Sequence, residues 1–314
     1  MERSKRSLSP AQIIDPQRFG VSFSIKQCRS FGLDGKETLS WLIHEAGFRR
    51  FRMMSYWNEH EKKPGEYNFA ALDWQINMAV KEGCLVTLCL GARQPRWPEN
   101  HWPGWAWEMS SEERSSALLR YIQKVVERYR EYDVVVSYQL ENEALLQSFG
   151  ERPEVDRKRL RQEYALIKKL DPSRPVAMST STFWGIPLRQ PLPNIVGFSY
   201  YHTVHTKKGY RSAHHQEWLH RLRAAVIRHV LRRPVFIHEL QLEPWGPTAI
   251  WKMPVPEQDK SMSAVYIRRN IALARKTHLY PIDLWGGEWW YWRYKHVQDP
   301  SIWLAVQAAL TAKA

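Results

Sequence analysis

Apolar positions along this chain fall into two alternating patterns. Short, nearly continuous apolar runs recur as FGVSFSI (19–25), RRFRMM (49–54), CLVTLCL (84–90), VVVSYQL (134–140), PVAMST (175–180), IVGFSYY (195–201), PVFIHE (234–239) and YPIDLWGG (280–287). Runs of this kind predict strands buried on both faces, as in a parallel sheet. Between them lie longer amphipathic stretches that predict helices at 35–46, 69–82, 110–132, about 154–170, 214–231, about 259–277 and 299–312. Gly47 and Gly83 supply stop signals after the first two. Serines and glutamates open the helix at 110, where capping and the macrodipole favour them. The connection around TFWGIPLRQPLP is short and proline-rich, so any helix there must be brief.

Strand followed by helix, repeated eight times without a break in composition, predicts one closed (β/α)₈ barrel, an α/β fold of the TIM-barrel class. The expected boundaries are an N-terminal extension over 1–18 and a single barrel domain over 19–314. The rival is an open doubly wound sheet, which usually carries a glycine-rich phosphate loop after its first strand. Here that turn reads KQCRSFGLDG and holds neither GxGxxG nor a P-loop pattern.

Composition narrows the class further. Hydrophobic residues make up 44% and charged residues 25% of the 314 positions, as in an ordinary globular domain. No apolar run reaches the roughly 18 residues of a membrane span. The basic start MERSKRSLSP leads into no apolar segment, so no signal peptide is expected; the cytoplasm is the expected compartment, with export through a leader outside this sequence as the alternative. Cys28, Cys84 and Cys89 show no metal-ligand spacing and are expected to be buried thiols. The net charge of +14 raises the question of a nucleic-acid partner. Yet the basic residues sit mostly in helical stretches, which in a barrel lie on the outside, so nucleic acid is not the expected ligand. The 16 tryptophans say more. Many cluster in RQPRWPENHWPGWAW, LEPWGPTAIW and WGGEWWYW, segments that read as loops. Flat indole faces on loops suit the C–H faces of sugar rings, and a carbohydrate cleft is the expectation.

Active residues in such barrels stand at the C-terminal ends of strands. Those ends offer Arg52 after strand two, Asn142 and Glu143 after strand four, Tyr201 and His202 after strand six, Glu239 after strand seven, and Trp285 and Glu288 after strand eight. Two carboxyl groups facing each other across a barrel mouth are what glycoside hydrolysis needs, about 5–5.5 Å apart in a retaining enzyme. One must hold a proton for the leaving oxygen while the other stays ionised to attack the anomeric carbon. Arg52 would keep the nucleophile ionised, and the Tyr201 hydroxyl would orient it. Asn142 would bind the sugar 2-hydroxyl, and Trp285 would floor the site. The chemistry calls for no cofactor and no metal.

The ordered set resembles clan A of the glycoside hydrolases, retaining (β/α)₈ enzymes that include cellulases, mannanases and β-galactosidases. Asn142-Glu143 resembles the clan's Asn-Glu pair after strand four, which implies Glu143 as acid/base. Glu239 in PVFIHELQLEPWG is similar to the nucleophile after strand seven. Arg52, Tyr201 and Trp285 match the clan's arginine, tyrosine and tryptophan after strands two, six and eight. WNEHEKKPGEYNF is similar to a Trp-x-x-x-Glu-x-x-Pro-Gly-x-Tyr-x-Phe stretch, which adds Trp57 and Glu61. The resemblance runs from about residue 19 to 312. It implies a carbohydrate substrate with β-linked sugars and transfers no particular sugar.

Each choice has a competitor. Glu141 competes with Glu143, since strand alternation would put both on one face. Glu243 competes with Glu239 but lies in a loop. Tyr200 should face the helices and Tyr201 the interior. Glu288 reads either as a ligand for a sugar hydroxyl or as half of a salt bridge, and His202 either as a subsite residue or as structural. Trp97, Trp102, Trp245, Trp289 and Trp290 are cleft candidates that packing would explain equally. Two other functions share these features. A metal-dependent hydrolase would draw on His202, His205, His214, His215 and His238, but His238 should point away from Glu239 by alternation. A catalytically silent sugar-binding barrel would share fold and cleft. The oligomeric state is not legible.

Overall fold

The computed structural model describes residues 13–147, 149–152, 154–182, 186–187, 191–212 and 217–312. Eight parallel strands close into a barrel: β1 (Phe19–Phe23), β2 (Arg50–Met54), β3 (Leu85–Leu90), β4 (Val135–Leu140), β5 (Val176–Thr180), β6 (Ile195–Tyr200), β9 (Val235–Gln241) and β10 (Ile282–Trp285). The remaining two, β7 (Thr203–Thr206) and β8 (Gly209–Ser212), form an antiparallel hairpin on the loop after β6. Closure is direct, with Phe19 of β1 in register with Ile282 of β10 and Val21 with Phe51 of β2. The (β/α)₈ barrel of the sequence is therefore the fold found.

Helices form where the chain supplies caps. The Asp34 carboxylate accepts from the Glu37 N–H at 2.8 Å and starts the helix Gly35–His44. Ser110 and Glu113 exchange hydrogen bonds as a capping box and start Ser111–Tyr129. Asp156 caps Arg157–Leu170. The helices bury Leu39, Leu42, Leu118, Ile122, Ile167 and Ile271 against the outer faces of Val21, Phe51, Val86, Val135 and Ile282, giving one apolar layer around the sheet. Among the described residues no helix is long and apolar enough to cross a membrane. The three cysteines are free and buried.

Several boundaries differ from the sequence reading, each for a local reason. β1 stops at Phe23 because the Ser24 hydroxyl accepts from the Gln27 N–H and turns the chain into a short helix, Ile25–Ser30. β9 runs two residues beyond Glu239 because Leu240 and Gln241 continue pairing with β10. The expected helix at 259–277 is two, Val255–Asp259 and Ala264–Lys276. WGGEWWYW is not a loop: Gly286, at φ +139°, turns the chain straight from β10 into a helix, Gly287–Lys295. Trp289 and Trp290 lie on its inner side, fully buried, with their indole N–H groups donating to Gln258 Oε1 and the Leu242 carbonyl. They belong to the core and not to a cleft.

Candidate active site

Arg52 organises the mouth of the barrel. From β2 its guanidinium, 1% exposed, reaches three other strands, β1, β4 and β9. Nε donates to Gln139 Oε1 on β4 at 2.7 Å. Nη1 donates to Glu239 Oε1 on β9 at 2.7 Å, and also contacts Ser22 Oγ on β1 and the His238 carbonyl. Nη2 donates to Asn142 Oδ1, just past β4, at 3.1 Å. The other Glu239 oxygen, Oε2, accepts from the Tyr201 hydroxyl at 2.9 Å. Burial alone would push the Glu239 carboxyl up. The charge of Arg52 and the two hydrogen bonds outweigh burial and hold it below its ordinary value, so it is ionised at neutral pH.

Glu143 has the opposite environment. Burial, with the Glu239 charge beside it, pushes its carboxyl up to about 7, against the Ser199 hydrogen bond. Ser199 Oγ donates to Glu143 Oε1 at 2.6 Å, and Ser199 itself stands in register with Glu239, so β6 links the two carboxyl groups. The Glu143 backbone N–H donates to Ser179 Oγ at 2.8 Å. Its φ of +45°, like the +49° of Glu141, bends the chain off the strand direction. The two glutamates therefore do not share a face by simple alternation. Glu141 turns back to accept the N–H groups of Ala92 and Arg93, and Gly91 is required there because a Cβ would lie 2.5 Å from the Glu141 carboxyl carbon.

Alternation also fails at His238. The register steps from Phe198↔Ile237 to Ser199↔Glu239, a bulge on β9 that turns two successive side chains to one side. The His238 ring consequently comes to 4.0 Å from Glu239 instead of pointing away from it. Gly197 makes the room, since a Cβ there would lie 2.9 Å from the His238 ring. Burial keeps this imidazole neutral, with its pKa down at about 3. Among the described residues no group of three or more His, Cys, Asp or Glu side chains converges as a metal site; His214 and His215 lie outside those residues.

No protein-family profile matches the chain, and no curated protein does. Solved structures do. GH5_18 from Streptomyces cattleya in complex with GlcNAc superimposes with a TM-score of 0.64 at 14% identity, over 96% of this chain and 82% of the other. A glycosylated endo-β-1,4-xylanase of glycoside hydrolase family 10 from Gloeophyllum trabeum gives 0.64 at 13% identity, over 95% and 97%. A β-galactosidase from the Antarctic haloarchaeon Halorubrum lacusprofundi gives 0.57 at 16% identity, over 85% of this chain; that match spans 52% of the galactosidase. The chain has the barrel fold of these glycosidases.

Within that shared barrel, several residues chosen from the sequence sit away from the mouth. Trp57 is fully buried, stacks on Tyr121 at 5.6 Å and donates to Glu61, so its faces are closed to any sugar. Glu61 also accepts the Gly65 N–H, and the pair fastens the loop between β2 and the next helix. Trp102 packs against Trp57 and under the guanidinium groups of Arg114 and Arg159. His202 lies edge-on to Tyr200, whose ring meets His220 on the helix side. Glu288 is fully buried, accepts the Ser24 N–H and ion-pairs with Arg96 Nη2 at 2.8 Å. It takes the salt-bridge role and is not open to a sugar hydroxyl. Trp245 does stand at the mouth. Its ring meets Tyr201 edge-on at 5.7 Å and Phe149 at 5.3 Å, and Phe149 meets the exposed Trp97. These four rings make an aromatic row leading outward from Glu239.

Sequence reasoning missed Arg96, Glu99 and Phe149. Arg96 is buried, ion-pairs with both Glu243 and Glu288, and lays its guanidinium 3.8 Å from the centre of the Trp285 ring. Glu99 is buried and accepts from Asn142 Nδ2 at 2.9 Å. The one available signal was charge embedded among prolines and tryptophans in RQPRWPENHW, where a solvated loop would have no reason for such company.

Proposed function

We propose that this chain is a retaining glycoside hydrolase acting on β-linked sugars, with Glu239 as nucleophile and Glu143 as acid/base. The observation that carries the reading is the split in proton affinity: Glu143 is pushed up to about 7 while Glu239 is held below its ordinary value. Paired carboxyls with opposite protonation at neutral pH are what double displacement uses. In the first step a Glu239 oxygen attacks the anomeric carbon as Glu143 gives its proton to the departing oxygen. In the second, Glu143 takes a proton from water, which displaces Glu239 and leaves the configuration retained. Arg52 and Tyr201 hold Glu239 in place and ionised. Trp245, Phe149 and Trp97 offer faces for further sugar units. The barrel shared with glycosidases and the clan A resemblance support the same reading.

A silent sugar-binding barrel is the second reading: a covered floor at the reacting centre counts against turnover there, while the outer aromatic row can still hold a glycan. Trp285, the expected floor, is 6% exposed and covered by the Arg96 guanidinium, so a sugar must displace Arg96 to stack there. The test is a panel of aryl β-glycosides and β-linked polysaccharides, assayed with the wild type and Glu239→Ala. Turnover that vanishes in the variant supports the enzyme and names the sugar. Glycan binding without turnover by the wild type refutes it and selects the silent barrel.

A further inference from the structure

Glu239, Glu143 and Glu99 are the carboxyl groups that act on one another at the reacting centre, with Glu243 and Glu288 to one side around Arg96. Glu239 takes Arg52, and Glu243 and Glu288 share Arg96. Glu143 is the proton donor of the proposed reaction. Glu99 is left over: it is buried, and no described cation lies within ion-pair distance of it. Its position is nonetheless well fixed. Its backbone N–H donates to the Arg96 carbonyl and its carbonyl accepts from Gln94 N–H, both at 2.8 Å, which closes the turn that carries it at φ +72°. Oε2 accepts from Asn142 Nδ2 at 2.9 Å, while Oε1 has no hydrogen bond among the described residues. The Asn142 amide is held in that sense because its Oδ1 already accepts from Arg52, Gln139 and Ser179.

We propose that Glu99 and Asn142 form the pocket for the substituent next to the attacked carbon, and that this pocket takes an ammonium group, making 2-amino-2-deoxy-β-glycosides with a free amine the preferred substrates. The inference rests on the glycosidase reading above. A pyranoside C1 has two ring neighbours, the ring oxygen and C2, so the C2 substituent is the functional group nearest the attack. Asn142 is adjacent in the chain to Glu143 and shares Arg52 with Glu239, which puts it and Glu99 beside that substituent. A neutral hydroxyl gives Glu99 no counter-charge, so the buried carboxyl stays protonated beside it and forms no ion pair. Burial indeed pushes Glu99 up to about 8, against the Asn142 hydrogen bond, so the empty site is neutral; an ammonium that enters favours the carboxylate, whose proton leaves to solvent as the ion pair forms. The protein is basic overall, at +14, which makes a surplus carboxyl at the mouth a local feature and not an average one.

The experiment compares 4-nitrophenyl 2-amino-2-deoxy-β-glucoside with 4-nitrophenyl β-glucoside, and the matching galactoside pair, at a slightly acidic pH where the amine is charged. The wild type should prefer the amino sugar about ten- to a hundredfold in kcat/KM, the range of one charge-assisted hydrogen bond. Glu99→Gln keeps an acceptor for Asn142 and should bring the ratio close to one. Equal or better turnover of the 2-hydroxy glycoside by the wild type overturns the proposal without any variant. So does a preference that Glu99→Gln leaves intact. If no glycoside is turned over, the glycosidase reading fails and calorimetric titration with glucosamine and glucose decides the pocket separately. Tighter glucosamine binding that Glu99→Gln abolishes supports it, and equal binding of the two sugars overturns it.

Discussion

Replacing Arg52 by methionine would remove a charge that four strands share, and the structure says how much should follow. The guanidinium and the Glu239 carboxyl are both almost fully buried and meet at 2.7 Å. Breaking a buried pair from one side strands the other charge and costs about 3–5 kcal/mol. Glu239→Gln should cost less, because Arg52 keeps Gln139, Asn142, Ser22 and the His238 carbonyl. The double variant should be more stable than the sum of the singles implies, with a coupling on the order of 2–3 kcal/mol. The assay is urea unfolding of the four proteins at neutral pH, repeated at lower pH. In the wild type the Glu239 pKa is depressed, so its contribution is present above the unfolded value, about 4.3, and fades as pH falls through the folded one. In Arg52→Met burial acts on Glu239 without its largest counterweight, and the pKa should rise above the unfolded value. Its cost is then absent at low pH and grows as pH rises. The gap between wild type and variant should therefore widen from acid to neutral pH and then level off. A coupling below about 0.5 kcal/mol, or a gap independent of pH, would refute the account of Arg52 as the group that keeps Glu239 ionised.

Two further outcomes can be checked directly. Because Glu143 must carry a proton in the first step and its pKa is raised to about 7, kcat/KM should fall as pH rises through that value; Glu143→Gln should flatten this alkaline limb on substrates with good leaving groups, and a limb that persists would assign it elsewhere. Trp290→Ala should cost about 3–5 kcal/mol of stability by opening a core cavity, whereas Trp245→Ala, at the half-buried mouth, should raise KM for oligosaccharides with little loss in thermal melts.

The barrel was legible because parallel strands buried on both faces leave continuous apolar runs, and every one of the eight runs corresponds to a barrel strand. Strand ends were legible to within two residues for the same reason: Arg52 and Glu239 lie two residues before the ends of β2 and β9, Tyr201 one residue past β6, and the structure brings all three together. What failed were inferences resting on strict alternation or on loop composition. His238 was placed wrongly because a bulge, which needs Gly197 opposite it, leaves no mark in the run PVFIHE. Trp57 entered through the resemblance of WNEHEKKPGEYNF to a family stretch, and Trp289 and Trp290 were cleft candidates, with packing an equal reading, because indole clusters beside glycine read as loops. Local turns instead convert those segments into short helices whose indoles point inward. Glu288, open to two readings, takes the salt-bridge one, since proximity to a strand end does not fix the side from which a residue is reached. Arg96 and Glu99 left only a faint signal because their partners, Glu243, Glu288 and Asn142, come from segments far away in sequence.

The two glutamates differ because of what stands behind each, and that difference is built by the backbone. β9 bulges at His238, which presents Glu239 to the guanidinium of β2 and the hydroxyl of Tyr201 at once. Past β4 the chain turns through positive φ at Glu141 and Glu143, which spends one carboxylate on backbone N–H groups of the loop after β3 and leaves the other with only the Ser199 hydroxyl. No cation lies within ion-pair distance of Glu143 among the described residues, so burial and the Glu239 charge act on it with little opposition. Moving a positive charge to the Glu143 side would erase the split even with every carboxyl in place. Ser199→Lys is such a change. Its ammonium would lie beside Glu143, lower that carboxyl's proton affinity and move the alkaline limb to lower pH, while Arg52 and Tyr201 would still hold Glu239 ionised.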